Sequence, residues 1–163
     1  MKKLFFLLLF SPAIFAQQLT LTATGFEPVS FPRPVMTDDK IVEAVKSWAD
    51  AYNKREHDVF NVTSNSLEVD AMKDNAFFYH NLGELYSYNI KYNLKISFDA
   101  KQVWVAFGVK EIYTKQTLLK TTVADFFDPD GRLKEDFDEV KPSLEETADK
   151  VVSALAKYLR DYQ

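Results

Sequence analysis

Tyr86-Ser87-Tyr88-Asn89-Ile90-Lys91-Tyr92-Asn93-Leu94-Lys95-Ile96-Ser97-Phe98 alternates apolar and polar side chains without a break. A period of two sustained over this length predicts one long strand with a dry face and a wet face. Asp99-Ala100-Lys101-Gln102 then reads as a turn, and Val103, Val105, Phe107 and Val109 resume the alternation to about Tyr113. The two runs predict a long antiparallel hairpin. Its wet side is not purely polar, because Trp104, Ala106 and Gly108 share that face with Lys110.

Working outward, residues 59–63 and 67–72 flank a polar Ser64-Asn65 pair and predict a second hairpin. Residues 75–86 read as the connection to the long strand. Before the sheet, Thr37 or Asp38 caps a helix whose apolar positions are Ile41, Val42, Val45, Trp48, Ala49 and Tyr52. That spacing puts one sticky stripe on the helix, with Trp48 as its core anchor, and an end near Arg55. After the sheet, Pro142, Ser143 and Glu146 form a capping-box pattern. The helix it announces carries Leu144, Ala148, Val151, Val152, Leu155, Leu159 and Tyr162 on one side. Residues 121–127 predict a helical turn. Pro28, Pro32 and Pro34 suit an edge strand within residues 25–34, since each removes a ladder donor. The fold class is therefore α+β, an antiparallel sheet with two helices on its dry face, in the order β-α-β-β-β-β-α.

The first residues carry a different message. Lys2-Lys3 precede seven consecutive Leu or Phe residues at positions 4–10, followed by Ser11-Pro12-Ala13-Ile14-Phe15-Ala16. A positive head, a short apolar run and a small-residue end predict an export signal over residues 1–16, cleaved after Ala16. The run is too short to span a hydrocarbon core of roughly 30 Å. Residues 17–24 then form an extended lead-in, and residues 25–163 one α+β domain without repeats or linkers. The expected destination is the periplasm or the exterior.

The net charge is −4, and losing Lys2 and Lys3 deepens it by two. Without a basic run, long-range charge does not draw such a chain to nucleic acid. There are no cysteines, so disulfides, thiolate metal sites and thiol nucleophiles are excluded.

Catalytic chemistry finds little support. His57 and His80 are the only histidines, 22 residues lie between them, and no carboxylate cluster stands at ligand spacing. Asp128-Pro129-Asp130-Gly131 resembles the start of a calcium loop. Setting Gly131 at the sixth position, however, puts Phe126 first and Phe137 twelfth. It reads as a turn instead. Glu135-Asp136-Asp138-Glu139 is the densest carboxylate set, in a segment with the character of a solvated face. There is no Gly-x-Ser-x-Gly elbow, and four glycines build no phosphate-cradling loop. No catalytic, cofactor-binding or metal-binding residue is assigned.

The surplus is aromatic: 14 Phe, 8 Tyr and 2 Trp, of which Phe5, Phe6, Phe10 and Phe15 belong to the export segment. Phe77, Phe78 and Tyr79 cannot all point one way in an extended chain. With Trp104 they are the candidate partner or ligand surface.

Three strings carry a family resemblance: Thr37-Asp38-Asp39-Lys40-Ile41-Val42 through Trp48, Tyr92-Asn93-Leu94-Lys95-Ile96, and Phe127-Asp128-Pro129-Asp130-Gly131-Arg132-Leu133. They resemble exported bacterial proteins built on an uncharacterised domain with a TATA-box-binding-protein-like fold. The resemblance spans roughly residues 25–160. It implies a curved antiparallel sheet backed by two helices, and it transfers no active-site residue. Fold does not fix function, and the acidic charge argues against DNA. The leading expectation is a non-enzymatic binding module of the cell envelope. The alternative is a carrier of a small apolar ligand in a cavity lined by Trp48, Tyr88, Tyr92 and Phe107. A carboxylate hydrolase comes third.

Overall fold

The computed structural model describes residues 18–162. The export segment expected at residues 1–16 lies outside them. The described chain runs β1 (Leu21–Thr22), β2 (Gly25–Phe26), β3 (Val29–Pro32), α1 (Asp38–Tyr52), β4 (His57–Phe60), β5 (Ser66–Asn81), β6 (Glu84–Phe98), β7 (Gln102–Thr114), β8 (Thr117–Leu118) and α2 (Val140–Asp161). Short 3-10 turns at Val123–Phe126 and Glu135–Phe137 precede α2. The main antiparallel sheet is ordered β3-β7-β6-β5-β4, with β8 added to β7. The β3-α1-β4-β5-β6-β7-α2 frame is the predicted order, and β1, β2 and β8 are added to it.

Alternation does what it promised in the centre of the sheet. Ile90, Tyr92, Leu94, Ile96 and Phe98 of β6 are all buried. Opposite them stand Leu67, Val69 and Ala71 of β5, and Val103, Val105 and Phe107 of β7. Both helices close over this face. Helix α1 buries Ile41, Ala44, Val45, Trp48 and Ala49, with Thr37 accepting from the Lys40 N–H as its cap. Helix α2 buries Val140, Leu144, Ala148, Val151, Val152, Leu155 and Leu159.

Two irregularities bend the sheet, as bulges do. In β7, Lys91 faces Glu111 while Tyr92 faces Val109. Lys110 is thus an extra residue, and beyond it the buried position changes parity to Ile112. In β5 the register shifts between Lys73 and Phe77, around Asn75 in the left-handed region. The Asn75 N–H donates to Asn89 Oδ1, which holds the bulge to β6.

Four expectations change. Residues 75–86 are not a connection: β5 continues to Asn81, and only Leu82-Gly83 turns the chain. The polar Asp74-Asn75 bulge had the composition of a loop. Second, α2 begins at Val140, so Ser143 lies inside it. Its hydroxyl donates to the Glu139 carbonyl rather than capping, and Pro142 sits in the first turn, where its missing N–H costs nothing. Third, α1 stops at Tyr52, because Asn53 turns out of helical backbone and caps it. Fourth, the lead-in expected to be simply extended contains β1, paired with β2, and docks on α2 from Leu19 on. Leu19 and Leu21 are buried. Their N–H groups donate to Asp149 and Glu145 of α2 at 2.8 and 2.7 Å. Charge-assisted bonds of this kind fasten the segment across the molecule.

The segment at Asp128 is a turn, as its composition predicts. Asp128 Oδ1 accepts from the Asp130 and Arg132 N–H groups, with Gly131 left-handed.

Candidate functional site

The four candidate aromatics do not converge. Phe77 is core: it is 1% exposed, stacks on Tyr88 at 5.0 Å and meets the edge of Phe126 at 5.6 Å. Phe78, one residue on, points away from the helices and is 41% exposed. Tyr79 is half-buried and lies in a stack with Tyr86 and Tyr88, with Phe137 edge-on at 5.2 Å. Trp104 is exposed on the wet face, opposite Ser97 and Ser30. Phe78 pairs with Ser87 and Trp104 with Ser97. Those two positions on β6 are about 33 Å apart at a strand rise of ~3.3 Å per residue.

What the fold does assemble is an apolar tip on the β5–β6 hairpin. Leu82 is 99% exposed, Leu85 60% and Tyr86 40%, and Phe78 joins them. Tyr86 was expected on the buried face. It faces the helix side, but the hairpin outruns the helices there and leaves it uncovered. Leu82, Leu85 and Tyr86 are the positions that aromatic counting misses. The signal for them is Leu82-Gly83 between two apolar-rich runs, the pattern of a two-residue hairpin loop.

The tip is held from one side only. Helix α2 and the residue before it reach the β5 edge with side chains. Thr147 donates to the Ala76 carbonyl at 2.7 Å. The Phe78 N–H donates to Ser143 Oγ at 3.3 Å, and the His80 N–H donates to Glu139 Oε2 at 2.7 Å. The His80 ring adds a second contact to Glu139, Nδ1 to Oε2 at 2.8 Å. Side chains here do what a neighbouring strand would do, closing an edge that would otherwise be open. Hydrogen bonds from the ring and then the backbone of His80 lower the Glu139 pKa. A carboxyl held below its ordinary value contributes stability above that value and loses it as pH falls through the lowered one. The His80 amide resonance is therefore expected to follow the Glu139 carboxyl in the acid range and to lose that step in Glu139→Gln. An amide shift that is constant down to pH 3 in the parent protein would remove the clamp.

Within the tip, burial pushes the Tyr88 phenol far above its usual range, and the contact with Tyr79 adds to this. The two hydroxyls lie 3.1 Å apart and share a hydrogen bond.

The wet face nearer β4 carries a polar network. Asp70 accepts from Lys110 at 2.6 Å and from Asn93 at 2.7 Å. Burial opposes the charge of Asp70, yet these two donors outweigh it and leave its pKa lowered. Each polar group there has its partner within the sheet, so the network reads as support for the bulge at Lys110. Among the described residues, no three His, Asp or Glu side chains are placed to hold a metal ion, and no helix is long and apolar enough to cross a membrane.

The side chains named for a ligand cavity each stack on an aromatic neighbour, Tyr88 on Phe77 and Tyr79. Trp48 stacks on Tyr52 at 5.1 Å, and Tyr92 stacks on Phe107 at 5.3 Å. The Tyr92 hydroxyl donates to Asn53 Oδ1 at 2.8 Å. A cleft of about 310 Å³ opens instead at the surface, where Phe26, Phe107 and Val123 meet.

No protein-family model matches the sequence, and no curated protein sequence matches it. Two crystal structures are similar in fold. One is a DUF4468 family protein from Bacteroides ovatus, at TM-score 0.57 and 12% identity over 82% of this chain and 84% of that one. The other is a TBP-like protein from Parabacteroides distasonis, at TM-score 0.54 and 12% identity over 84% of this chain and 93% of that one. At this identity the likeness shows the fold alone. The fold is the TBP-like one that the sequence resemblance implied.

Proposed function

We propose that this chain is an exported, non-enzymatic binding domain of the cell envelope, and that it engages a protein partner through the tip of the β5–β6 hairpin. The observation that carries this reading is Leu82. A non-glycine residue in the left-handed region costs about 1–2 kcal/mol, and a two-residue turn of this kind prefers Asn-Gly. Leu82 sits there with φ 50° and its side chain almost wholly in solvent. It incurs both costs and gains no intramolecular contact. Leu85, Tyr86 and Phe78 extend the apolar surface around it, and clustered exposed apolar groups are what partner surfaces are made of. Export is supported by the composition of residues 2–16.

Site-specific photo-crosslinking in the protein's own cells tests the reading. A photoreactive residue at position 82 or 85 is expected to give a discrete protein adduct, and one at Lys46, on the exposed side of α1, none. The processed protein should begin at Gln17. Leu82→Asn is expected to raise stability by about 1 kcal/mol, because asparagine tolerates this backbone, while reducing the adduct formed from position 85. Equal adducts from all three positions, or none from the hairpin, reject the surface.

A further inference from the structure

We propose that the partner binds as an extended peptide strand added to the free edge of β6 at Leu85 and Ser87. This rests on the hairpin reading above and names the chemistry of its partner.

The backbone geometry follows from the turn. Leu82 and Gly83 both have positive φ, and Asn81 faces Glu84 across them. In such a two-residue hairpin the flanking pair exchanges hydrogen bonds, and the pairs then alternate between bonded and unbonded. Asn81 with Glu84, and Tyr79 with Tyr86, are the inward-bonding pairs. His80 with Leu85, and Phe78 with Ser87, direct their N–H and C=O groups outward. On the β5 side this is observed directly, since the N–H groups of His80 and Phe78 go to Glu139 and Ser143. On the β6 side the ladder to β7 begins only at Asn89, opposite Tyr113. Among the described residues, no strand pairs with Leu85 or Ser87 on that side. One edge of the hairpin is closed and the other is open.

Open edges are ordinarily blunted by lysine, proline or a bulge. Residues 84–88 of β6 contain none of these. Leu85 and Tyr86 are exposed there, followed by the exposed Ser87. An edge of this kind recognises an extended chain through its backbone and reads alternate side chains in the flanking apolar surface. The charge around it selects among such chains. Glu84 stands at the tip, and the Glu135–Phe137 turn is packed against Tyr79 beside it. A complementary strand therefore carries apolar residues at every second position and a basic residue toward the tip. A second copy of this chain fits less well, because it brings the same acidic tip and the same negative net charge to the contact.

The probe is a displayed library of random nine-residue peptides, selected on the purified, processed chain. The expected binders alternate apolar residues and carry Lys or Arg at one end. A selected peptide should slow amide exchange at Leu85 and Ser87. Ser87→Pro, which removes an outward N–H and leaves the β5 ladder intact, should weaken that peptide by at least about tenfold. Exchange on the parent protein keeps the test informative if the proline variant misfolds. Loss of binding in Leu85→Ala with full binding in Ser87→Pro overturns strand addition and keeps the hairpin surface. Binding unchanged in both variants overturns both, and so does a library without binders. A parent dimer by sedimentation that Ser87→Pro dissolves puts a second copy on the edge and overturns the peptide partner.

Discussion

Trp48→Ala is expected to cost about 3–5 kcal/mol, enough to leave a domain of ordinary stability, about 5–15 kcal/mol, marginal or unfolded. The indole is 1% exposed in the middle of the buried stripe of α1, flanked by Val45 and Ala49. The stripe packs against both α2 and the sheet, so removing the indole leaves a cavity in the core. The indole Nε1–H has no acceptor among the described residues, which adds a second, smaller expectation. An unpaired buried donor costs about 1–3 kcal/mol, so Trp48→Phe loses packing but also removes that penalty. Urea unfolding followed by circular dichroism should therefore rank the parent first, Phe second by a small margin and Ala far behind. A loss below 1 kcal/mol for Ala would mean that α1 is not packed on the sheet by this face.

Legibility followed how local the deciding interactions are. The β6 alternation and the α1 stripe are periodic and packed against one large partner surface, so spacing alone was enough to read them. Thr37 caps α1 because its own neighbours supply the N–H. Ser143 and Glu146 show the same local pattern, yet α2 starts earlier, and the Ser143 hydroxyl is used by the Glu139 carbonyl and the Phe78 N–H. Long-range demand there overrides a local signal. The continuation of β5 was hidden for a related reason. Its bulge at Asn75 breaks the rhythm with polar residues that are satisfied across the sheet by Asn89 and Ser87, which no window of sequence can reveal. The docking of Leu19 and Leu21 onto α2 joins positions more than a hundred residues apart. Of the candidate site, Phe78 was legible as an aromatic that must face away from its neighbours. Leu82 was not, because its meaning lies in a backbone conformation rather than in composition.

Phe77→Ala and Phe78→Ala, adjacent and chemically identical changes, are expected to differ by several kcal/mol. Phe77 faces Tyr88 across the ladder, stacks on it and fills space beside Phe126. Removing a buried phenylalanine costs about 3–5 kcal/mol, and the Tyr79–Tyr88 stack beside it would loosen as well. Phe78 faces Ser87 on the side away from the helices, is 41% exposed, and has the edge of His80 at 6.4 Å. What Phe78 contributes to the fold is its backbone N–H to Ser143, and alanine keeps that. Its replacement should cost about 1 kcal/mol or less and should weaken the partner contact proposed at the hairpin. The contrast is a direct reading of register. The bulge in β5 shifts the pairing by two positions, from Lys73 opposite Ile90 to Phe77 opposite Tyr88, so the inward parity survives it. A shift of one would exchange the two faces of everything beyond the bulge. Denaturation midpoints for the pair therefore measure which count is right. If Phe78→Ala proves the costlier change, the hairpin is threaded the other way. Leu85, whose face is set by the same register, would then turn toward the helices, and the tip would lose its exposed apolar surface.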